Sequence, residues 1–162
     1  MLDQKKANYL FVREIADLII PKEKVVTVDP DWSLERALLI LTRKQTTSVP
    51  VIHPSGQVEG LISKTDILDF MLHIGRNDNH FDFSGLSNHR VREAMNLNHQ
   101  GIMANSIFSF AFEILVNRSY IPIIDERNQF VGILTRKVLM EKVIKYFQEE
   151  YLQIVEDMQG KV

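Results

Sequence analysis

The chain has 162 residues, of which 45% are hydrophobic and 25% charged, with a formal net charge of −2 and no cysteine. This composition is ordinary for a globular protein of one domain or two small ones. The lack of cysteine excludes disulfides, thiolate metal sites and cysteine nucleophiles, and the charge provides no broad basic surface for nucleic acid. Because neither a signal-peptide run nor a stretch of ~18 apolar residues is present, we expect a cytoplasmic protein without membrane contact.

The first half of the chain predicts a β-α-β-β-α unit. A helix-like apolar pattern ends at Pro21, and the β-branched run of Val25, Val26 and Val28 predicts the first strand. Ser33 is a favourable cap for a helix whose predicted inward face is Leu34, Ala37, Leu38 and Leu41.

Two strands and a second helix complete this unit. The strands are predicted over residues 49–52 and 58–62, with a turn at Pro54-Ser55-Gly56 between them. Ser63 begins the second helix, whose apolar positions are Ile67, Phe70, Met71 and Ile74.

The second half repeats the order of elements. Residues 91–95 correspond to residues 15–19, and strands are predicted over 120–124 and 130–134. Between them, Asn105 or Ser106 caps a predicted helix with Ile107, Phe110, Ala111 and Ile114 inward. Phe108, Phe110 and Phe112 alternate along this helix, so they cannot all share one buried face. This copy is predicted to be one residue shorter than the first between the helix start and the following proline.

The strongest signal is a repeated pair of residues. Pro50 and Gly60 recur as Pro122 and Gly132, at an offset of 72 residues and with the same spacing. A duplication of this size indicates two similar modules packed face to face, and the cleft between such modules is a natural ligand site.

The duplicated pattern divides the chain into four parts. We expect a first domain at residues 9–75, a polar linker at 76–88, a second domain at 89–146 and a C-terminal helical extension at 147–162. The last helix carries an apolar stripe of Met140, Ile144, Phe147, Tyr151, Val155 and Met158. Such a stripe packs on the domain or on a partner subunit, and we expect a homodimer built through helices.

In both copies, an x-Pro-[Val/Ile] strand followed by Gly-x-x-[Ser/Thr] resembles the CBS domain, and two in tandem resemble a Bateman module. The resemblance covers roughly residues 9–146 and implies an α+β fold of two β-α-β-β-α units related by a pseudo-two-fold axis. The segments 37–42 and 132–138 further resemble small stand-alone CBS proteins of Gram-positive bacteria that bind cyclic di-AMP.

The resemblance implies an adenine-nucleotide site in the cleft between the units. It assigns to that site Lys24, Val25, Val26, Thr46, Thr47, Ser48, Pro50, Ile133, Thr135, Arg136 and Lys137. It also implies hydroxyls at the sugar or phosphate, and an aspartate at the ribose diol. In the first copy these are Ser63 and Asp66, which form a second candidate site for AMP or ADP, unless that cleft is empty.

The second copy departs from this pattern in a chemically informative way. Val138 replaces the aspartate, and Arg136 and Lys137 stand beside it. A carboxylate accepts hydrogen bonds from a ribose diol, whereas a guanidinium and an ammonium at a helix N-terminus favour phosphate. Cyclic di-AMP has no free cis-diol and two phosphates, so this exchange suits it.

Each of these residues also has a purely structural interpretation. Asp66 and Thr135 could act only as helix caps, Pro50 could mark a strand edge, and Lys24, Arg136 and Lys137 could be solvated surface charges. Their coincidence within one duplicated frame favours the ligand site.

No arrangement of residues predicts catalysis or a metal site. The histidines lack metal-ligand spacing, and Asp78, His80 and Asp82 form at most a weak cation site on the linker. Neither a Walker A loop nor a nucleophile elbow is present. We therefore expect a non-enzymatic sensor of cyclic di-AMP, without a cofactor, that regulates a partner protein. The alternatives are an energy sensor for AMP, ADP and ATP, and a structural adaptor without a ligand.

Overall fold

The computed structural model describes residues 10–74 and 83–160 of the chain. The strands are β1 (Ile20–Pro21), β2 (Ser48–Ile52), β3 (Val58–Ser63), β4 (Ile102–Met103), β5 (Tyr120–Ile124) and β6 (Phe130–Thr135). The helices are α1 (Leu34–Arg43), α2 (Lys64–Ile74), α3 (Val91–Ala94), α4 (Phe108–Leu115), α5 (Arg136–Tyr146) and α6 (Leu152–Gln159). Short 3-10 turns lie at Ala16–Leu18, Lys22–Lys24 and Phe83–Asn88, and a π-helical turn, Phe147–Tyr151, joins α5 to α6.

The duplication is visible in the strand register. Strands β2 and β3 pair antiparallel with Pro50 opposite Leu61, and β5 and β6 pair antiparallel with Pro122 opposite Ile133. We call α1, β2, β3 and α2 unit 1, and α4, β5, β6 and α5 unit 2. The loop of each hairpin needs a residue in the left-handed region, which is Gly56 (φ +95°) in unit 1 and Asn128 (φ +61°) in unit 2.

Each unit packs against the segment of chain that precedes the other unit. Residues 10–21, which precede unit 1, pack on unit 2, and residues 91–96, which precede unit 2, pack on unit 1. Ile20 and Pro21 of β1 pair with Ile133 and Gly132 of unit 2, so this sheet has the order β1-β6-β5-β4. The reciprocal contact is a bridge between Asn96 and Leu61 of unit 1. The two hydrophobic cores follow the same exchange, since Leu10 and Ile15 lie in the core of unit 2 and Val91 lies in that of unit 1.

This exchange explains the recurring glycines. A Cβ atom added to Gly132 would lie 2.2 Å from the carbonyl oxygen of Ile20, and one added to Gly60 would lie 2.9 Å from that of Asn96. Both distances are shorter than side-chain packing allows, so only glycine lets the exchanged segment cross the strand. The glycines therefore serve backbone packing between the units.

Contacts between equivalent residues locate the pseudo-two-fold axis. Ser48 and Tyr120, 72 positions apart, share a hydrogen bond of 3.1 Å between their hydroxyls. Gln57 and Gln129 have the same offset and form an isolated antiparallel bridge. Two equivalent residues can touch only where the axis passes between them, so the axis runs through both pairs.

Helix caps follow the sequence in three of the four long helices of the two units. Ser33 accepts the Arg36 amide at α1, Ser63 accepts the Asp66 amide at α2, and Thr135 accepts the Val138 amide at α5. At α4 the expected cap is wrong, because Ile107 occupies the N-cap position and provides no side-chain acceptor.

The predicted face of α4 is also wrong. Phe108, Ala111 and Leu115 are buried, whereas Ile107 and Phe110 are 41% and 48% exposed. As expected, the three phenylalanines do not share one face, because Phe110 points away from the core that Phe108 and Phe112 contact. The burial pattern aligns Phe108 with Leu34, so the second copy is two residues shorter than the first, not one.

Two further expectations need correction. Of the predicted strand at residues 25–28, only Val28 pairs, through an isolated parallel bridge to Val51, because the neighbouring residues pass into the cleft. Ile74, expected on the apolar face of α2, is 43% exposed. Residues 76–82 of the predicted linker, including Asp78, His80 and Asp82, lie outside the described residues.

Candidate functional site

A cavity of about 380 Å³ opens between the two units. One wall consists of residues 24–26 and residues of unit 1, and the other consists of β1 and residues of unit 2. Its lining residues are Ile20, Lys24, Val25, Val26, Lys44, Thr46, Thr47, Ser48, Val49, Pro50, Ser119, Tyr120, Ile133 and Thr135. The volume lies within the range of ~300–1,000 Å³ typical of small-molecule sites.

The segment between β1 and α1 brings Lys24, Val25 and Val26 to the cavity. The 3-10 turn Lys22–Lys24 ends when the Val25 amide donates to the Lys22 carbonyl at 3.1 Å, and extended backbone follows. Val25 and Val26 are half-buried and supply apolar surface. Lys24 remains exposed at the rim, where its ammonium can reach an anion.

A tight turn after α1 places three hydroxyl residues along the same wall. Gln45 has a left-handed conformation (φ +53°), after which the Thr46 amide donates to the Leu41 carbonyl. The Thr46 hydroxyl donates to the Ser48 carbonyl at 3.0 Å, which holds the strand entry in a curved form. Thr47 is exposed and faces the opening with its hydroxyl free among the described contacts.

Tyr120 forms part of the opposite wall and closes the inner end of the cavity. Its ring is buried, and its hydroxyl lies 3.1 Å from the Ser48 hydroxyl. Burial raises the pKa of Tyr120 to about 12; the Ser48 hydrogen bond lowers it, and the negative charge of Asp66 raises it further. Tyr120 is therefore neutral near pH 7 and offers a hydroxyl rather than a phenolate.

The cavity favours an anion. Lys24 and Lys44 are the charged residues of its described lining, which contains no carboxylate. Within residues 10–74 and 83–160, neither lysine forms an ion pair. Both ammonium groups are thus available to a phosphate, and the Thr47 hydroxyl on the neighbouring wall can donate a further hydrogen bond.

Nine of the eleven residues assigned by resemblance line this cavity. They are Lys24, Val25, Val26, Thr46, Thr47, Ser48, Pro50, Ile133 and Thr135. Thr135 also caps α5, so the structural and ligand interpretations of its hydroxyl coexist in one residue.

Arg136 and Lys137 do not line the cavity. The Arg136 guanidinium donates to the carbonyl of Leu115 at 2.7 Å and that of Val116 at 3.4 Å, so it caps the C-terminus of α4. Lys137 is exposed and lies 3.9 Å from Glu141. At the start of α5, the amide of Arg136 is taken by the Ser119 carbonyl and that of Val138 by Thr135.

Ser63 and Asp66 satisfy each other at the start of α2. One Asp66 carboxylate oxygen accepts the Ser63 amide at 2.8 Å and the Ser63 hydroxyl at 2.7 Å. The Asp66 amide donates back to the Ser63 hydroxyl at 3.0 Å. This reciprocal arrangement is a helix-capping motif, and it uses one of the two oxygens of the Asp66 carboxylate.

Sequence reasoning missed five residues of the lining: Ile20, Lys44, Val49, Ser119 and Tyr120. Two of them had a usable signal, since Ser119 and Tyr120 are the equivalents of Thr47 and Ser48 at the 72-residue offset. Elements related by a two-fold axis approach the cleft from both sides. Lys44 had no such signal, because the turn at Gln45 that brings it to the rim is not a typical glycine turn.

Other site types find no support in the described parts of the chain. Residues 10–74 and 83–160 contain no group of three acidic or histidine side chains able to hold a metal ion. None of the helices in these ranges combines the length and the apolar character that crossing a membrane requires.

Comparison with known proteins identifies relatives of the same architecture. The family model for the CBS domain matches residues 12–73 and 104–145. Cyclic di-AMP receptor B of Bacillus subtilis is 26% identical over 143 residues, which are 88% of this chain and 95% of that protein.

Two solved structures superpose over most of both chains. The CbpB protein of Listeria monocytogenes in complex with c-di-AMP is 29% identical, with a TM-score of 0.75, over 84% of this chain and 98% of the other. A CBS domain-containing protein of unknown function from Bacillus anthracis is also 29% identical, with a TM-score of 0.76, over 86% and 98%. The expected α+β fold of two β-α-β-β-α units in a Bateman module is thereby confirmed.

Proposed function

The chain belongs to the CBS domain family, and from this premise we propose that it is a non-enzymatic sensor of cyclic di-AMP. The observation that carries the proposal is the cavity between the units, in which Lys24 and Lys44 stand without acidic partners beside a row of hydroxyls. A cavity with two available cations and no carboxylate suits a ligand with two separate anionic groups.

Cyclic di-AMP matches this chemistry in each of its parts. It has two phosphodiester groups with one negative charge each, so each lysine has one phosphate to bind. Its 3′-oxygens are esterified, so no cis-diol calls for a carboxylate acceptor. Val25, Val26 and Ile133 provide apolar surface on which an adenine can pack.

The named relatives support the same ligand. The Bacillus subtilis relative is called a cyclic di-AMP receptor, and the Listeria monocytogenes CbpB structure contains c-di-AMP. Both align with nearly their whole length, so the likeness includes both units and the cleft between them.

An energy sensor for AMP, ADP or ATP is the second candidate. Its mononucleotide ligands carry a ribose diol, for which the natural acceptor is the Asp66 carboxylate. One oxygen of that carboxylate accepts both hydrogen bonds from Ser63, and Asp66 does not line the described cavity. A diol bound at Asp66 would therefore lie outside the cavity that contains the two lysines.

Calorimetric titration of the nucleotide-free protein with cyclic di-AMP, then with AMP, ADP and ATP, tests the proposal. We expect micromolar or tighter binding of cyclic di-AMP and weaker binding of the mononucleotides. A preference for AMP or ATP would make the protein an energy sensor, and no heat or thermal shift with any of them would make it a structural adaptor.

Two substitutions test the roles that the resemblance assigns to Arg136 and Asp66. Arg136→Ala tests the part assigned to Arg136 by resemblance: loss of binding would mean that this guanidinium leaves the α4 carbonyls for a phosphate. Asp66→Ala is expected to spare cyclic di-AMP and to weaken any binding of a mononucleotide. Loss of cyclic di-AMP binding in Asp66→Ala, with binding retained in Arg136→Ala, would overturn the assignment of the site.

We also propose that the protein is a homodimer. Leu68 and Leu72 of α2 are 41% and 57% exposed, and their equivalents Met140 and Ile144 of α5 are 48% and 52% exposed. Each unit thus exposes an equivalent apolar patch, and a second copy would cover both patches. Sedimentation equilibrium would detect this dimer, and a monomer at high concentration would contradict it.

Regulation of a partner protein follows from the same scheme. The lining comes from both units, so a ligand that bridges them binds better to one relative arrangement of the walls than to another. Only this difference in affinity can alter a partner surface. Within this proposal the chain remains divided at 9–75, 76–88, 89–146 and 147–162, with the C-terminal extension outside both CBS units.

A further inference from the structure

A second cavity, of about 420 Å³, lies between the C-terminal end of α4 and the segment that precedes β4. We call it the α4 cavity. Its described lining consists of Asn98, Gln100, Glu113, Ile114, Asn117 and Arg118. The symmetric counterpart of the cavity between the units would include Ser63, the equivalent of Thr135, and this lining contains neither Ser63 nor Asp66. The α4 cavity is therefore distinct from both candidate nucleotide sites.

Two turns of the backbone hold this lining in place. At the end of α4, the Asn117 amide donates to the Ile114 carbonyl at 3.3 Å. Before β4, the Asn98 amide donates to the Asn96 side-chain oxygen at 2.8 Å. The two turns are joined where the Arg118 guanidinium donates to the Asn98 side chain at 3.1 Å. The polar side chains are thus positioned before a ligand binds, which lowers the cost of ordering them.

Arg118 has hydrogen-bonding capacity left at this cavity. Its Nη2 atom donates to Asn98, whereas its Nη1 atom is buried without a hydrogen-bond partner among the described residues. Arg118 also forms no ion pair within residues 10–74 and 83–160. Because a charged donor without an acceptor costs free energy, the guanidinium gains by turning toward an acceptor in the cavity. A carboxylate matches its planar fork and can accept from both Nη atoms.

Glu113 adds a negative charge to the same lining. It lies in the last turn of α4, is exposed, and has no ionic partner in the two described ranges. The lining thus carries one cation and one anion that do not pair with each other. A carboxylate repels phosphate, which argues against a nucleotide here, and it accepts hydrogen bonds from an ammonium group.

From this combination of charges, we propose that the α4 cavity binds a free α-amino acid in its zwitterionic form. The α-carboxylate of the ligand binds Arg118, and its α-ammonium group donates to Glu113. The ligand's side chain lies against half-buried Ile114 and the three amide side chains of the lining. The cavity volume lies within the range of ~300–1,000 Å³ typical of small-molecule sites. This inference goes beyond the nucleotide sensor proposed above, because it gives unit 2 a ligand of its own.

A thermal-shift screen of the nucleotide-free protein with each proteinogenic L-amino acid tests the proposal. We expect at least one of them to raise Tm, and calorimetry then measures its Kd. Two matched probes keep the side chain of that amino acid but lack one charge: the des-amino acid and the decarboxylated amine. Each should bind at least ~10-fold more weakly than the amino acid, because each leaves one of the two charged groups of the cavity without a partner.

Two variants assign the binding to this cavity. Glu113→Gln and Arg118→Met each remove one charge at nearly constant size, and each should weaken binding of the amino acid at least ~10-fold. Both should bind cyclic di-AMP as wild type does, because neither residue lines the cavity between the units. The matched controls Glu126→Gln and Arg127→Met lie on the hairpin turn of unit 2, outside both cavities, and should leave both affinities unchanged.

Circular dichroism checks that every variant is folded. If Arg118→Met does not fold, Glu113→Gln at its exposed position and the two matched probes on the wild-type protein still decide the outcome. A screen in which no amino acid raises Tm would overturn the proposal. Equal binding of the des-amino acid would show a plain carboxylate site and overturn the zwitterion.

The last two outcomes concern the place of binding. Wild-type affinity in both cavity variants, or direct competition between the amino acid and cyclic di-AMP, would put the amino acid elsewhere and overturn the α4 cavity as its site. A failure of the nucleotide titration would leave this inference intact, since the two ligands occupy different cavities.

Discussion

Unit 1 enters its proline strand with Thr46, Thr47 and Ser48, whereas unit 2 enters the equivalent strand with Arg118, Ser119 and Tyr120. Around the first set lies the cavity of about 380 Å³ that both units line. Beside Arg118 lies a cavity of about 420 Å³ whose described lining comes from residues 98–118 alone. The same backbone therefore frames two different environments.

The difference lies in the charged groups that surround each cavity. At the first cavity the lysines have no ionic partner. Beside the second, the Arg118 guanidinium donates to the Asn98 side chain at 3.1 Å, and Glu113 brings a carboxylate to the lining. Duplication supplies a symmetric scaffold, but the cations that the first cavity offers to a ligand, Lys24 and Lys44, lie outside these three equivalent positions.

The largest effect should come from filling the space that the exchanged segments need. Gly132→Ala would force a Cβ atom against the Ile20 carbonyl and should lower the free energy of unfolding by about 3 kcal/mol. Gly60→Ala meets a longer contact, 2.9 Å to the Asn96 carbonyl, and should cost about 1 to 2 kcal/mol. Urea unfolding measures both.

Gly160→Ala is a suitable control for this pair, because its added Cβ would meet only an ordinary contact of 3.5 Å. If neither strand variant lost more stability than the Gly160 variant, the segments would not cross the strands as closely as described.

The next effect concerns the open cleft itself. Lys24→Ala/Lys44→Ala should weaken cyclic di-AMP binding by about 100-fold, since each lost charge-assisted hydrogen bond to a solvent-exposed phosphate costs roughly 10-fold. Lys22→Ala lies in the same 3-10 turn but does not line the cavity, so it should bind as wild type does. Calorimetry would reveal the contrast, and equal affinities of all three proteins would remove the lysines from the site.

Much of the fold could be predicted because its cause is local. The proline, the glycine and the turn of each hairpin recur at one offset, and the caps at Ser33, Ser63 and Thr135 lie where the apolar patterns begin. The packing of residues 10–21 on unit 2, and of residues 91–96 on unit 1, could not be predicted. The pattern around Ile15 reports that a face is buried, but not that unit 2 buries it.

The failure at α4 has a different cause. This helix of eight residues contains three phenylalanines, an alanine, an isoleucine and a leucine, so nearly every face is apolar. Periodicity then does not single out one inward face, and packing against Phe11 decides that Phe108 points inward.

At the site, sequence distance was a poor guide to spatial distance. Thr135 lines the cavity, while Arg136 is the first residue of α5 and points to α4. Consecutive residues of a helix diverge by about 100°, so two neighbours in the sequence motif serve different surfaces. Lys44 supplies from another element the positive charge that the sequence pattern assigned to Arg136.

A smaller effect tests the contact on the pseudo-two-fold axis. Tyr120→Phe removes the hydroxyl that meets Ser48 and should lower stability by about 1 kcal/mol near neutral pH. The raised pKa of Tyr120, about 12, also makes a pH prediction. The unfolded tyrosine ionises near pH 10, so wild type should lose on the order of 2 kcal/mol as pH rises from 10 to 12.

Urea unfolding at pH 8 and pH 11 would show whether the Phe variant lacks this alkaline loss. Tyr151→Phe, at an exposed position, leaves Tyr120 in place and should behave as wild type does. The same alkaline loss in the Tyr120→Phe protein would mean that another group causes it.

The smallest effect separates capping from binding at the two helix starts. Asp66→Ala removes the acceptor of the Ser63 amide and hydroxyl, and should lower stability by about 0.5 to 1 kcal/mol without changing cyclic di-AMP affinity. Thr135→Ala removes a cap of similar strength but also a hydroxyl of the cavity, so it should lower both. A loss of cyclic di-AMP affinity in the Asp66 variant would mean that the ligand contacts Asp66, outside the described cavity, and would contradict the assignment of the lysine-lined cavity as the site.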